Sequence, residues 1–324
     1  MGSVVLFSAK GAPGVTTTAM LIASLWPRPA LLVDCDPAGG DVGLRLPAPD
    51  GSPLDLGTGM LSLLPLARRR LEPSTLLGHS QHVLGGGEVI VGLTGPEQAA
   101  AAGSTWNTIA RALADLESHQ VIVDAGRLDP TSPVLPVARA ADLVACVVDA
   151  SVSGVFAARA RLRTVLPALA PRDGIGPKFG VIIRGDRQAD ADSALAVIRS
   201  EFADVGALGF VPSDPVGVRM FHGERVSRPE RTMIARSGAD LVAELGNALY
   251  VAYWFGREGE PEFALPPYVT PQVNLPVEAD LPQPAADQSE AEGDGAPRLT
   301  RSERHRRHKA GRRSSRAKDV GWRS

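Results

Sequence analysis

Short apolar runs rich in β-branched residues recur along the chain, at Val4–Ser8, Ala30–Val33, Val89–Leu93, Val121–Val123, Leu143–Val148, Phe179–Ile183 and Ala207–Val211. Between most of them lie segments with helical spacing of apolar positions: Thr17–Trp26, Thr105–Glu117, Val155–Leu169 and Asp192–Phe202. Strand followed by helix, repeated, predicts an α/β fold with a mainly parallel twisted sheet and helices on both faces. Ile234–Tyr253 supplies a last amphipathic helix, after which Pro261, Pro266, Pro267, Pro271, Pro276, Pro282 and Pro284 break every regular pattern. The folded domain is therefore expected over residues 1–255. Residues 256–297, Pro-rich and then acidic, read as a disordered linker, and 298–324 as a disordered basic tail, because neither holds enough apolar surface to offset chain-ordering entropy. No internal repeat is visible.

At 324 residues with a mean hydropathy near zero, the chain fits one soluble main domain plus appendages. It contains no uninterrupted apolar stretch of the roughly 18 to 20 residues that a membrane-spanning helix needs. It opens on the strand-like Ser3–Ala9 instead of a basic and then apolar leader, so a cytoplasmic location is expected. The two cysteines, Cys35 and Cys146, sit in apolar β-rich runs and are expected to pack as small core residues. A near-zero net charge hides an asymmetry. Residues 298–324 carry eleven Lys/Arg against Glu303 and Asp319, which leaves the rest of the chain strongly acidic. Such a tail is suited to an anionic partner, with anionic lipid, nucleic acid, an acidic protein surface and simple solubilisation all open. Arg301–Arg316 lacks the apolar stripe of a helix that lies in a membrane surface.

The first strand runs straight into Lys10-Gly11-Ala12-Pro13-Gly14-Val15-Thr16-Thr17-Thr18, which opens an apolar helix. Backbone N–H groups of a glycine-containing loop and the free donors of a helix N-terminus converge there, which suits a phosphate. Thr16 stands where a P-loop places its Mg²⁺-ligating hydroxyl, whereas the lysine expected just before it is Val15. Only Lys10, Lys178, Lys309 and Lys318 occur in a chain otherwise biased to arginine, and one of these four is at the loop's entry.

In these residues the chain resembles the MinD/ParA family of P-loop ATPases, whose deviant P-loop begins Lys-Gly-Gly and sends that lysine to the phosphates of a partner subunit in a nucleotide-sandwich dimer. Lys10 matches that lysine. Leu32-Val33-Asp34-Cys35-Asp36-Pro37-Ala38-Gly39-Gly40-Asp41-Val42 is similar to the family's second strand and switch segment. Val121-Ile122-Val123-Asp124-Ala125-Gly126 is similar to its Walker B strand, and Gly209-Phe210-Val211-Pro212-Ser213-Asp214-Pro215 to its base-contacting segment. The resemblance implies ATP and Mg²⁺ as ligands and a nucleotide site of Lys10, Gly11, Ala12, Pro13, Gly14, Val15, Thr16, Thr17, Pro212 and Asp214. Arg184 would join it, standing where the family carries a base-reading asparagine. It further implies Thr16, Asp124 and Asp36 around the metal, Lys10 and Asp36 as the residues of turnover, and Asp34 and Asp41 as supports. Implied partners are a second copy of the chain and a further protein. The Gly40-Asp41-Val42 form looks closest to the CpaE-like branch that localises pilus and secretion machinery, and chromosome-partitioning and septum-placing relatives share most of the pattern. A pseudo-ATPase scaffold is the alternative that Val15 favours.

Other readings of the same residues are weaker. One spaced glycine pair falls short of the three-glycine dinucleotide fingerprint. Gly78-His79-Ser80-Gln81-His82 lacks the closing glycine of a nucleophile elbow, and His79 and His82, spaced to share a helix face, have no third ligand nearby.

Overall fold

The computed structural model describes residues 2–11, 14–170 and 176–255. The expected linker and basic tail, 256–297 and 298–324, lie outside the described residues, as do Ala12 and Pro13 of the glycine loop. Eight strands form one sheet: β1 (Ser3–Ser8), β2 (Ala30–Asp34), β3 (Gln81–His82), β4 (Glu88–Ile90), β5 (Gln120–Arg127), β6 (Leu143–Asp149), β7 (Lys178–Gly185) and β8 (Gly206–Pro212). Their order is β3-β4-β2-β5-β1-β6-β7-β8, parallel throughout except for the β3–β4 edge pair. The strand order reverses direction at β1, between β5 and β6, and such a switch point opens a crevice at the strands' carboxyl ends.

Five longer helices cover the sheet: α1 (Val15–Leu25), α2 (Thr105–Ala114), α3 (Val152–Leu169), α4 (Gln188–Arg199) and α5 (Met233–Phe255). All six residues of β1 are buried. Alternate side chains of the central strands serve opposite faces, as a pleated strand requires. Val5, Phe7, Val121 and Val123 join Trp106 and Ile109 of α2 and Leu162 of α3 in one core. Val4, Leu6 and Ile122 join Leu21 and Ile22 of α1 and Leu241 and Leu245 of α5 in the other. Trp106 is 1% exposed and its indole N–H donates to Ala99 O at 2.9 Å, so its one polar atom is satisfied inside the core. Both cysteines are buried free thiols, with burial pushing the Cys146 thiol up to about 12 and Cys35 well above its usual value. The packing role expected for them holds.

Several sequence expectations shift. The run Val89–Leu93 is a strand only to Ile90, because the carbonyls of Val91 and Leu93 accept from Met60 N and Gly40 N (both 2.8 Å) instead of from a neighbouring strand. Helix α4 starts at Gln188, four residues before the expected Asp192, with Asp190 in its first turn where a negative charge suits the helix dipole. His79 and His82 do not share a helix face: His82 is in β3, and His79 Nδ1 lies 2.7 Å from Ser62 Oγ. No described helix is long and apolar enough to cross a membrane.

Candidate functional site

Six adjacent strands, β2, β5, β1, β6, β7 and β8, bring Asp34, Asp124, the glycine loop, Asp149, Arg184 and Pro212 to one carboxyl edge. The loop enters α1 through Gly14, whose φ of 83° is the left-handed conformation that glycine adopts without steric cost. Helix α1 has no side-chain cap and no acidic residue in its first turn, so its N-terminal field is unopposed by the helix's own residues. Thr18 N and Oγ1 both donate to Gly14 O, at 2.9 and 2.8 Å, and fix the loop's exit. Thr16 and Thr17 remain partly exposed, and Lys10 is exposed at the loop's mouth. Val15, by contrast, is 6% exposed and packed in the α1 core.

The acids are built in beside the loop. Asp34 and Asp124 face each other in the register of β2 and β5, and each is 1% exposed. Asp34 accepts from Asp36 N (3.2 Å) and Val42 N (3.3 Å), and Asp124 accepts from Gly126 N (2.8 Å) with the Thr16 hydroxyl beside it favouring its charged form. Burial raises Asp34 well above the ordinary carboxylate value, with the Asp124 charge adding to it, and burial pushes Asp124 up to about 6. Two carboxyl groups this close and this dry resist ionising together, which makes the pair receptive to a cation. Glycines make the room: a methyl group on Gly40 would stand 2.0 Å from Asp34 Oδ2, and one on Gly126 would stand 2.2 Å from Asp36 Cγ.

Asp36 is half-buried, accepts Ala38 N–H at 2.8 Å and leans over Gly126. Burial raises its carboxyl, and Arg127 draws it back down. Asp41 is paired with Arg45 one turn on. Asp214 is at the same edge, after β8, but its carboxylate accepts from Gly217 N (2.8 Å) and Ile234 N (3.1 Å), so it ties the start of α5 to the β8 loop.

Three arginines surround the loop, and two of them, Arg127 and Arg161, escaped the sequence reading. A methyl group on Gly11 would lie 3.4 Å from Arg127 Nη2, and one on Gly14 would lie 3.3 Å from both Nε and Nη1 of Arg184. Arg161 of α3 reaches Ala9 O at 3.4 Å and pairs with Asp129 at 3.4 Å. Arg127 directly follows Asp124-Ala125-Gly126, so its position was legible once that strand was recognised. Arg161 is one of several helix arginines, and nothing in the spacing sets it apart.

These residues fit Mg²⁺ with a nucleotide. Among the described residues no three His, Cys, Asp or Glu side chains gather as a metal cage. Mg²⁺ in nucleotide sites uses one or two protein groups with phosphate oxygens, and the Thr16 hydroxyl beside the Asp124 carboxylate is such a pair. A cavity of about 440 Å³ lined by Met20, Leu32, Val89 and Phe221 opens elsewhere, where β2 and β4 begin, and none of these site residues lines it.

No protein-family model matches the chain, and no curated protein matches it in sequence. Solved structures do match in shape. An ATP complex of a McdA variant from Cyanothece aligns with a TM-score of 0.58 at 17% identity, covering 76% of this chain and 96% of that one. A ParA family ATPase from Chlorobium tepidum aligns at 0.55 and 16%, covering 74% and 98%. The septum site-determining protein MinD with Mg-ADP from Pyrococcus horikoshii aligns at 0.50 and 16%, covering 78% and 98%. The chain thus has the fold of the MinD/ParA P-loop ATPases, an eight-stranded and mainly parallel sheet covered by helices.

Proposed function

We propose that this chain is an ATP-dependent positional switch of the MinD/ParA kind, working in the cytoplasm or peripherally at a membrane or nucleoid. Two subunits close face to face over nucleotide at residues 10–17, each Lys10 crosses to the partner's phosphates, and slow hydrolysis reopens them. The observation that carries this reading is the meeting of the glycine loop, Thr16 beside the buried Asp124, and Asp34 with Asp36 at the ends of three adjacent central strands. The structural likeness to proteins solved with ATP and with Mg-ADP supports it.

Mg²⁺, when bound, neutralises charge on the phosphates. The rest is positioning by the chain: loop N–H groups and the α1 N-terminus hold phosphate, Thr16 and Asp124 hold the metal's protein side, and Asp36 orients the attacking water. Exposed apolar side chains follow the carboxyl ends of β2, β6 and β8, with Leu44 74%, Val152 89%, Phe156 73% and Val216 58% exposed. Apolar groups gathered around a nucleotide mouth favour a protein surface docking there in one nucleotide state, and that difference in affinity is what makes a switch. The cargo fits pilus or secretion machinery, as in the CpaE-like branch, or a partitioning or septum-placing role. The basic tail would add contact with anionic lipid, nucleic acid or an acidic protein surface.

The burial of Val15 favours a second reading, a scaffold that keeps the fold and has lost turnover. Steady-state phosphate release separates the two. The switch predicts slow wild-type turnover that drops about tenfold or more in Lys10→Ala and changes in Val15→Lys. A wild type without turnover, with neither substitution altering nucleotide affinity or release, leaves the scaffold.

A further inference from the structure

A P-loop normally meets the β- and γ-phosphates with the lysine that begins its helix. Here that position is Val15, buried among Val4, Leu6 and Ala19, and it brings no charge. Lys10 is exposed at the loop's mouth, and Arg127 has its charge set against Asp36. Arg184 approaches from the other side. It stands one residue before the end of β7, opposite Asp149 of β6, and its side chain crosses the end of β6 to bring Cδ, Nε and Nη1 to 3.2–3.3 Å from where a Gly14 side chain would begin. Its main chain is held on both flanks, by Ala150 N donating to Arg184 O (2.7 Å) and Ser213 N to Gly185 O (2.8 Å).

We infer that Arg184 is the cis phosphate-binding cation of this site and takes the place left by the lysine absent at Val15. The inference rests on the nucleotide reading above and changes the role that the resemblance gave this position, from base to phosphate. The guanidinium lies on the loop residue that opens α1, where a phosphate would meet the free N–H groups, and its planar fork suits a phosphate's paired oxygens. Gly14 serves twice, since a side chain there would be strained at φ 83° and would crowd Arg184. The substitution also agrees with the chain's composition, which uses thirty arginines and four lysines.

The test is displacement of a fluorescent ATP analogue from the full-length protein, with Mg²⁺, by ATP, GTP and inorganic tripolyphosphate, the last having no base. Arg184→Ala is expected to weaken ATP and tripolyphosphate alike, by about tenfold or more, and to leave the ATP-to-GTP preference unchanged. Arg184→Lys should keep most of the affinity, and Val15→Lys added to Arg184→Ala should restore part of it. Unfolding curves check that each variant is folded, and Arg184→Gln replaces Arg184→Ala if that variant is not. Unchanged tripolyphosphate affinity with an altered ATP-to-GTP preference assigns Arg184 to the base and overturns the inference, as does no change at all. A folded wild type that binds neither ATP nor tripolyphosphate overturns the nucleotide reading itself.

Discussion

Asp124→Asn is expected to make the nucleotide-free protein more stable at about pH 8 while abolishing the gain in nucleotide affinity that Mg²⁺ brings. Burial pushes the Asp124 carboxyl from 3.8 up to about 6, so in the folded state the charged form is the penalised one. A group raised in this way contributes its stability below the unfolded value near 4, loses it as pH rises through about 6, and contributes none above. The displacement corresponds to about 3 kcal/mol at most, or roughly 10 °C at most in melting temperature for a domain of this size. Asparagine removes the penalty and preserves the local backbone bond, since its carbonyl still accepts Gly126 N–H. Melting curves with a chelator should therefore show the variant above wild type at about pH 8, with the gap closing toward about pH 4. With Mg²⁺ and nucleotide the order reverses, because only the wild type keeps the anionic oxygen that the ion needs. A variant that is less stable than wild type at all pH values would mean that Asp124 acts as a structural acceptor only.

Asp36→Ala is expected to lower ATP turnover by about 10²-fold or more while changing Mg-ATP affinity only about threefold or less. Asp36 is the half-exposed acid of the group, hydrogen-bonded on one side to Ala38 N–H and otherwise turned over Gly126 toward the mouth. Asp34 and Asp124 are enclosed by the strands and glycines around them, so Asp36 is the acid placed to meet a water. Single-turnover phosphate release and equilibrium binding, measured on one preparation, separate the two effects. Equal losses in both would return Asp36 to a binding role.

The central strands were legible because each is a continuous apolar run closed by a chemical marker: Asp34 after Leu32-Val33, Asp124 after Val121–Val123, Lys10 after Val4–Ser8. Once a parallel sheet was inferred, the gathering of those markers at one edge followed. The edge region between β2 and β4 was not legible. Its one-turn helices at Val42–Arg45 and Met60–Leu63 and the two-residue β3 are held by contacts from distant positions, such as Met60 N to Val91 O. Nor were the backbone bonds of Asp214 legible, since its carboxylate accepts an N–H group twenty residues away. Arg161 was hidden for a related reason: it comes from α3, and only the folded chain brings it to Ala9 O.

The most direct test of the switch is the mass of the full-length protein in solution, by light scattering, for wild type and Lys10→Ala with Mg²⁺ and a non-hydrolysable ATP analogue. A nucleotide-driven switch predicts a wild-type monomer that doubles its mass only with nucleotide, and a Lys10→Ala variant that binds the analogue and stays monomeric. A wild type whose mass is the same with and without nucleotide, or a variant that dimerises as well as wild type, would contradict it.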